Sequence, residues 1–217
     1  MKEDLQIGFV GNPNCGKTTL FNAYTGANLK VANWPGETGE KKEGAFKYHD
    51  RCFRLVDLPG IYSLTSYTME EKLTREYILN SNVDAIINIV DASSLERNLY
   101  LTLQLIELGI PVVVALNMMD IVKERGIKIN LHRLSEMLGV PVIPVSARKK
   151  TGLDILMHTV AHYRDKKIVS NLKHHHGDMK QEEGHRHKRH TEYPVIYSDL
   201  IENKIDIISD MLRAKYG

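Results

Sequence analysis

The run Gly11-Asn12-Pro13-Asn14-Cys15-Gly16-Lys17-Thr18 has the spacing G-x-x-x-x-G-K-[ST], and the chemistry of such a run is phosphate binding. Its glycines let the backbone curl until successive N–H groups face an anion. Lys17 brings charge to β- and γ-phosphates, and the Thr18 hydroxyl is placed to ligate Mg²⁺. Thr19 follows in the first turn of a helix whose N-terminal dipole adds to the anion site. In Asp57-Leu58-Pro59-Gly60, Asp57 can hold Mg²⁺ through water and Gly60 offers an N–H that a γ-phosphate can capture. Asn117-Met118-Met119-Asp120 has the N-x-x-D spacing that reads guanine. The Asp120 carboxylate can accept from both the ring N–H and the exocyclic amino group, a donor pair that adenine lacks. A base that leaves such a carboxylate unpaired is rejected by several powers of ten. The backbone of Ser146-Ala147-Arg148 can close over the guanine oxygen from the other side. Four motifs in this order are those of a GTPase.

These residues need strands to carry them. Strand-like apolar runs recur at Leu5–Val10, Lys42–Tyr48, Arg51–Val56, Ala85–Val90, Val112–Leu116 and Val142–Val145. The break at His49-Asp50 makes the second and third an antiparallel pair. Helical patterns at Thr18–Tyr24, Glu70–Asn80, Leu95–Leu108, Leu131–Leu138 and Leu153–Tyr163 alternate with the strands. In the third of these, Leu95, Leu99, Leu103 and Ile106 fall on one expected apolar face. The alternation implies an α/β P-loop GTPase fold with a six-stranded, mostly parallel, doubly wound sheet, and a short partial helical appendage beyond it. All four motifs then lie on loops at strand carboxyl ends.

Composition narrows the partners. The chain has 217 residues, 42% of them hydrophobic, and a net charge of +2, so nothing electrostatic favours nucleic acid. Cys15 and Cys52 read as free thiols of a reducing compartment. No apolar stretch reaches the roughly 18–20 residues that span a bilayer, so these residues read as soluble and cytoplasmic. Residues 1–163 form the expected GTP-binding domain. Residues 164–192 read as a polar linker, rich in histidine (His174, His175, His176, His185, His187, His190), for which disorder is the expectation and transition-metal ligation an alternative. Residues 193–217 read as a helical segment of a truncated domain, with Ile201, Ile205, Ile208 and Leu212 as its stripe.

Over residues 5 to 163 the chain resembles the amino-terminal cytoplasmic portion of the ferrous iron transport protein B family. The likeness rests on Asn33-Trp34-Pro35-Gly36-Glu37-Thr38 with Glu40 to Gly44, on Asp57 to Leu64, on Asn88 to Ala92 with Leu95 to Leu101, and on Met118 where most small GTPases carry Lys. The resemblance implies slow GTP hydrolysis and attachment to a membrane-embedded Fe²⁺ transport domain that these residues do not contain. It makes Thr38 the first-switch threonine, with its hydroxyl on Mg²⁺. It also gives Asn14 a K⁺ between the phosphates, where the ion stands in for an arginine. Ile61 occupies the position of the water-orienting Gln of Ras-like proteins, and a hydrocarbon cannot orient water. Asn14, Lys17, Thr38 and Gly60 are thus the expected catalytic groups. The resemblance further implies that the carboxyl-terminal helix modulates nucleotide release. Oligomeric state, and whether Trp34 packs or contacts a partner, stay open. Two other readings compete: a ribosome- or tRNA-associated GTPase, which shares the N-P-N loop, and a GTP-binding module that does not hydrolyse.

Overall fold

The computed structural model describes residues 5–163 apart from 27–28, 35–39, 50 and 66. The proposed linker, its histidines, the carboxyl-terminal helix and Thr38 lie outside the described residues. Among the described residues seven strands form one sheet: β1 (Leu5–Gly11), β2 (Leu29–Asn33), β3 (Glu40–Tyr48), β4 (Arg51–Asp57), β5 (Ala85–Asp91), β6 (Val112–Asn117) and β7 (Val142–Pro144), in the order β2-β3-β4-β1-β5-β6-β7. From β4 to β7 every pair is parallel, whereas β2–β3 and β3–β4 are antiparallel, with Tyr48 opposite Arg51 at the hairpin. The sequence led us to expect six strands. The seventh, β2, pairs Leu29 with Gly44 through Asn33 with Glu40 at the sheet edge. It was hidden because a solvated edge strand needs no apolar alternation, and its Val31 is exposed.

The strands buried on both faces account for the core. Ile7, Phe9, Leu55, Ile87, Ile89, Val113 and Ala115 are fully buried, and helices close over them. These are α1 (Lys17–Thr25), α2 (Met69–Asn80), α3 (Leu95–Glu107), α4 (Met119–Glu124), α5 (Leu131–Leu138) and α6 (Leu153–Tyr163). On one side Leu20 and Phe21 of α1 join Leu156, Met157 and Val160 of α6, and Phe21 packs edge-on to Phe9.

The face that α3 buries differs from the expected one. Ile106 is buried as expected, but its buried companions are Asn98, Leu101, Thr102 and Leu105, while Leu95, Leu99 and Leu103 are only half-buried. Two polar residues occupy the inner face because each finds a partner there. Asn98 Oδ1 accepts from Asp91 N–H at 3.3 Å, and the Thr102 hydroxyl donates to Asn88 Oδ1 at 2.6 Å. Satisfied in this way, a buried polar side chain costs little, and apolar spacing alone then misjudges the face.

Strand β1 lies between β4 and β5: the connection out of β1 runs to the edge strand β2 on one side, and the connection out of β4 crosses to β5 on the other. In a doubly wound sheet the crevice at such a reversal, outside the strand carboxyl ends, is where a ligand binds.

Candidate functional site

Strand β1 ends at Gly11, and residues 12–16 turn back over its tip to enter α1. Cys15 N–H donates to Asn12 O at 3.3 Å, which closes the loop. The turn requires Gly16: its φ is +85°, and a Cβ there would stand 2.3 Å from Asn117 Nδ2. Asn14 is exposed with φ +64°, which Asn tolerates better than most residues. Asn12 and Cys15 are buried, and Pro13 is half-buried. Thr18 and Thr19, in the first turn of α1, are exposed. Burial pushes the Cys15 thiol up to about 11, although Lys17 and backbone N–H groups act the other way, so it stays protonated at neutral pH.

Lys17 and Asp57 meet. The Lys17 ammonium is hydrogen-bonded to Asp57 Oδ1, and both side chains are about nine-tenths buried. The phosphate loop and the end of β4 are thus joined by an ion pair between the lysine expected to meet phosphate and the carboxylate expected to hold Mg²⁺. A cleft of about 340 Å³ opens beside them, lined also by Trp34, Lys42, Pro59, Met69 and Glu70. Gly60 rests on the phosphate loop, and a Cβ added to it would lie 3.3 Å from Pro13 Cα. Ile61 is 2% exposed and its N–H donates to Gly11 O at 3.2 Å. Its side chain is buried with the hydrophobic core.

The two loops expected to read guanine are connected through Asn117, which is 3% exposed. Its Nδ2 donates to Cys15 O at 2.9 Å, and its Oδ1 accepts from Ala147 N–H at 3.0 Å. One side chain therefore fastens the ends of β6 and β7 to the phosphate loop. Met118 at φ +63° turns the chain into α4 and presents Asp120. Asp120 Oδ1 accepts from the Ser146 hydroxyl at 3.0 Å. Burial works against the Asp120 carboxylate. The Ser146 hydroxyl, backbone N–H groups and Lys149 outweigh it and hold the carboxyl below its ordinary range. Residues 146–151 close on themselves, with N–H donation in both directions between Ser146 and Thr151 at 3.1 Å, and Arg148 is exposed at the rim.

Sequence reasoning missed two features of the site and left the role of Trp34 open. Thr68 and Glu71 form a capping box at the start of α2. Glu71, itself buried, accepts from the Ser63 hydroxyl at 2.8 Å and from Tyr67 N–H at 3.1 Å, so it secures the loop after Gly60. The T-x-x-E spacing was the available signal. Trp34 is 5% exposed and packs edge-on against Tyr77 of α2 at 5.3 Å, with the Lys41 ammonium 5.3 Å from its ring centre. It is a packing residue that ties the end of β2 to α2. Arg97 and Gln104 of α3 meet the loop after Asp57 at Tyr62 and Leu64.

Residues 5–160 match the family model described as ferrous iron transport protein B. The Fe(2+) transporter FeoB of Shigella flexneri is 52% identical over 164 residues, which are 74% of this chain and 21% of that protein. The chain therefore spans about a fifth of the length of the curated relatives it matches. Among solved structures, a variant of the S. thermophilus NFeoB fragment bound to GDP superimposes with a TM-score of 0.77 at 44% identity, covering 96% of this chain and 72% of that one. The cytosolic domain of the T. maritima FeoB iron transporter in a GDP form gives a TM-score of 0.79 at 33% identity, covering 99% and 76%.

Proposed function

The chain belongs to the ferrous iron transport protein B family, and from that premise we propose that residues 5–163 bind GTP, hydrolyse it slowly with help from K⁺, and report the nucleotide state to a membrane-embedded Fe²⁺ transport domain. The observation that carries the reading is the convergence of four motif loops on one edge of the sheet, with Asn117 joining the phosphate loop to Ala147 and Lys17 joining it to Asp57. GDP in the structures of two relatives supports the same assignment. Among the described residues no helix is long and apolar enough to cross a membrane. Ion passage is accordingly proposed for a longer protein of which this domain is the switching part.

Each residue has a proposed task. Backbone N–H groups of residues 14–18 and Lys17 hold the phosphates. Asp120 accepts from guanine, and the backbone of 146–148 closes over the base. The Thr18 hydroxyl and the Asp57 carboxylate, with Thr38, are hard oxygen donors of the kind Mg²⁺ takes beside phosphate and water. A bound Mg²⁺ would neutralise charge on the β- and γ-phosphates. For Lys17 and Asp57 to serve, their mutual pair must part, the ammonium going to phosphate and the carboxylate to the metal side. Asn14, which is exposed, is the proposed K⁺ ligand. The burial of Ile61 supports slow turnover, because no side chain at that position can orient water. Gly60 N–H, and Thr38 from the first switch, would sense the γ-phosphate and release it on hydrolysis.

GTP turnover in KCl against NaCl at equal ionic strength, with Asn14→Asp beside wild type, tests the mechanism. K⁺ stimulation that weakens in the variant is the expected result. Turnover indifferent to K⁺ removes Asn14 from catalysis, and no turnover in either salt leaves a GTP-binding module without hydrolysis.

A further inference from the structure

The loop after Asp57 is held from three sides. Toward the phosphate loop, Gly60 sits on Pro13 and Ile61 N–H donates to Gly11 O. Toward α2, Glu71 gathers Ser63, Thr65 and Tyr67. Toward α3 there are two contacts that nucleotide chemistry does not call for. Leu64 N–H donates to Gln104 Oε1 at 2.7 Å, and the Arg97 guanidinium lies over the Tyr62 ring, 5.8 Å from its centre. Arg97 and Gln104 are two turns apart and so share a face of α3. The backbone of Arg97 also meets the phosphate loop, its carbonyl accepting from Asn12 Nδ2 at 3.5 Å.

We propose that Arg97 and Gln104 are positioning residues: together they clasp residues 61–64 against α3 and thereby set the preference of the site between GDP and GTP. The proposal rests on the GTPase reading above. The clasp coexists with the Lys17–Asp57 pair, in which neither group serves a phosphate or its Mg²⁺. The loop position held by α3 thus belongs with the form in which no γ-phosphate has drawn Gly60 toward it. When Gly60 moves, residues 61–64 follow, and the Leu64–Gln104 and Tyr62–Arg97 contacts must stretch or break. Contacts made in only one of two states bias the equilibrium by their whole worth, whereas contacts kept in both do not. Gln104 and Arg97 lie outside the proposed nucleotide-contacting set, so weakening them alters the switch and leaves the phosphate and base contacts in place.

Affinities of the full 217-residue chain for a fluorescent GDP and for a fluorescent non-hydrolysable GTP analogue, measured side by side, read the bias directly. Gln104→Leu, which removes the acceptor, is expected to tighten the GTP analogue about five-fold with GDP unchanged, the effect of one hydrogen bond. Gln104→Glu keeps an acceptor oxygen and should restore the wild-type ratio. Tyr62→Leu should shift the ratio about two- to three-fold in the same direction, and Tyr62→Phe, which keeps the ring, should not shift it. An unmoved ratio in both Gln104→Leu and Tyr62→Leu overturns the clasp. Parallel loss of both affinities also overturns it, since that marks general structural support. Wild type that binds no guanine nucleotide sinks the GTPase reading and the clasp together, whereas wild type that binds while the ratio stays fixed sinks the clasp alone.

Discussion

Asn117→Ala is the sharpest test of whether the phosphate loop and the base-reading loops stand as one unit. In wild type a single amide satisfies the Cys15 carbonyl at 2.9 Å and the Ala147 N–H at 3.0 Å, and all three residues are buried. Alanine leaves both backbone groups inside without their partner, at about 1–3 kcal/mol each. A water admitted to the vacated space would satisfy part of that demand, which places the total near 3 kcal/mol. Against a typical stability of about 5–15 kcal/mol this is a large loss. At roughly 2–4 °C per kcal/mol for a domain of this size, Tm should fall by about 6–12 °C. Calorimetry without nucleotide is the assay, because bound ligand would add its own stabilisation. Asp120→Ala is the control: its carboxylate meets the Ser146 hydroxyl in a partly solvated position and should cost under about 1 kcal/mol. If Asn117→Ala melts within about 2 °C of wild type, or no lower than Asp120→Ala, the bridging account is wrong.

Two further outcomes follow from the same geometry. Asp120→Asn sets an amide donor against the amino donor of guanine, so GTP affinity should drop at least ~10²-fold while xanthosine triphosphate, with a carbonyl in that place, gains; competition binding decides it, and equal loss of both nucleotides would refute the base-reading role. For Glu71, burial opposes the charge, yet Ser63, the N–H groups of Tyr67 and Thr68, and Thr65 together hold its carboxyl below the ordinary 4.5. A depressed folded value means that the contribution is fully present above the unfolded value and is lost as pH falls through the folded one. Glu71→Gln should therefore cost about 1–2 kcal/mol at pH 7, and the gap to wild type in urea unfolding should close as pH drops below 4.5. A gap that widens in acid would contradict the assignment.

What could be read from the sequence divides along a physical line. The phosphate loop, Asp57, Asn117 and Asp120 were legible because their chemistry depends on residues adjacent in the chain, and their strands are apolar runs that need no partner to be noticed. The same reasoning failed where a residue's role is defined by distant contacts. Asn117 was identified by its spacing to Asp120, but its bonds reach Cys15, 102 positions away, and Ala147, 30 positions away, and no local pattern contains them. Trp34 gave no choice between packing and docking until β2 and α2 brought Tyr77 and Lys41 to it. On α3 the failure was more instructive: Leu95, Leu99 and Leu103 made a better apolar stripe than the residues that are buried. Asn98 and Thr102 displace them because they bond to the end of β5 and to Asn88, which stiffens the helix that also carries Arg97 and Gln104. Two polar residues at core positions would ordinarily weaken a helix–sheet contact. Here they fix its register, and a fixed α3 is what a loop must lean on if its departure is to be felt as a difference in free energy.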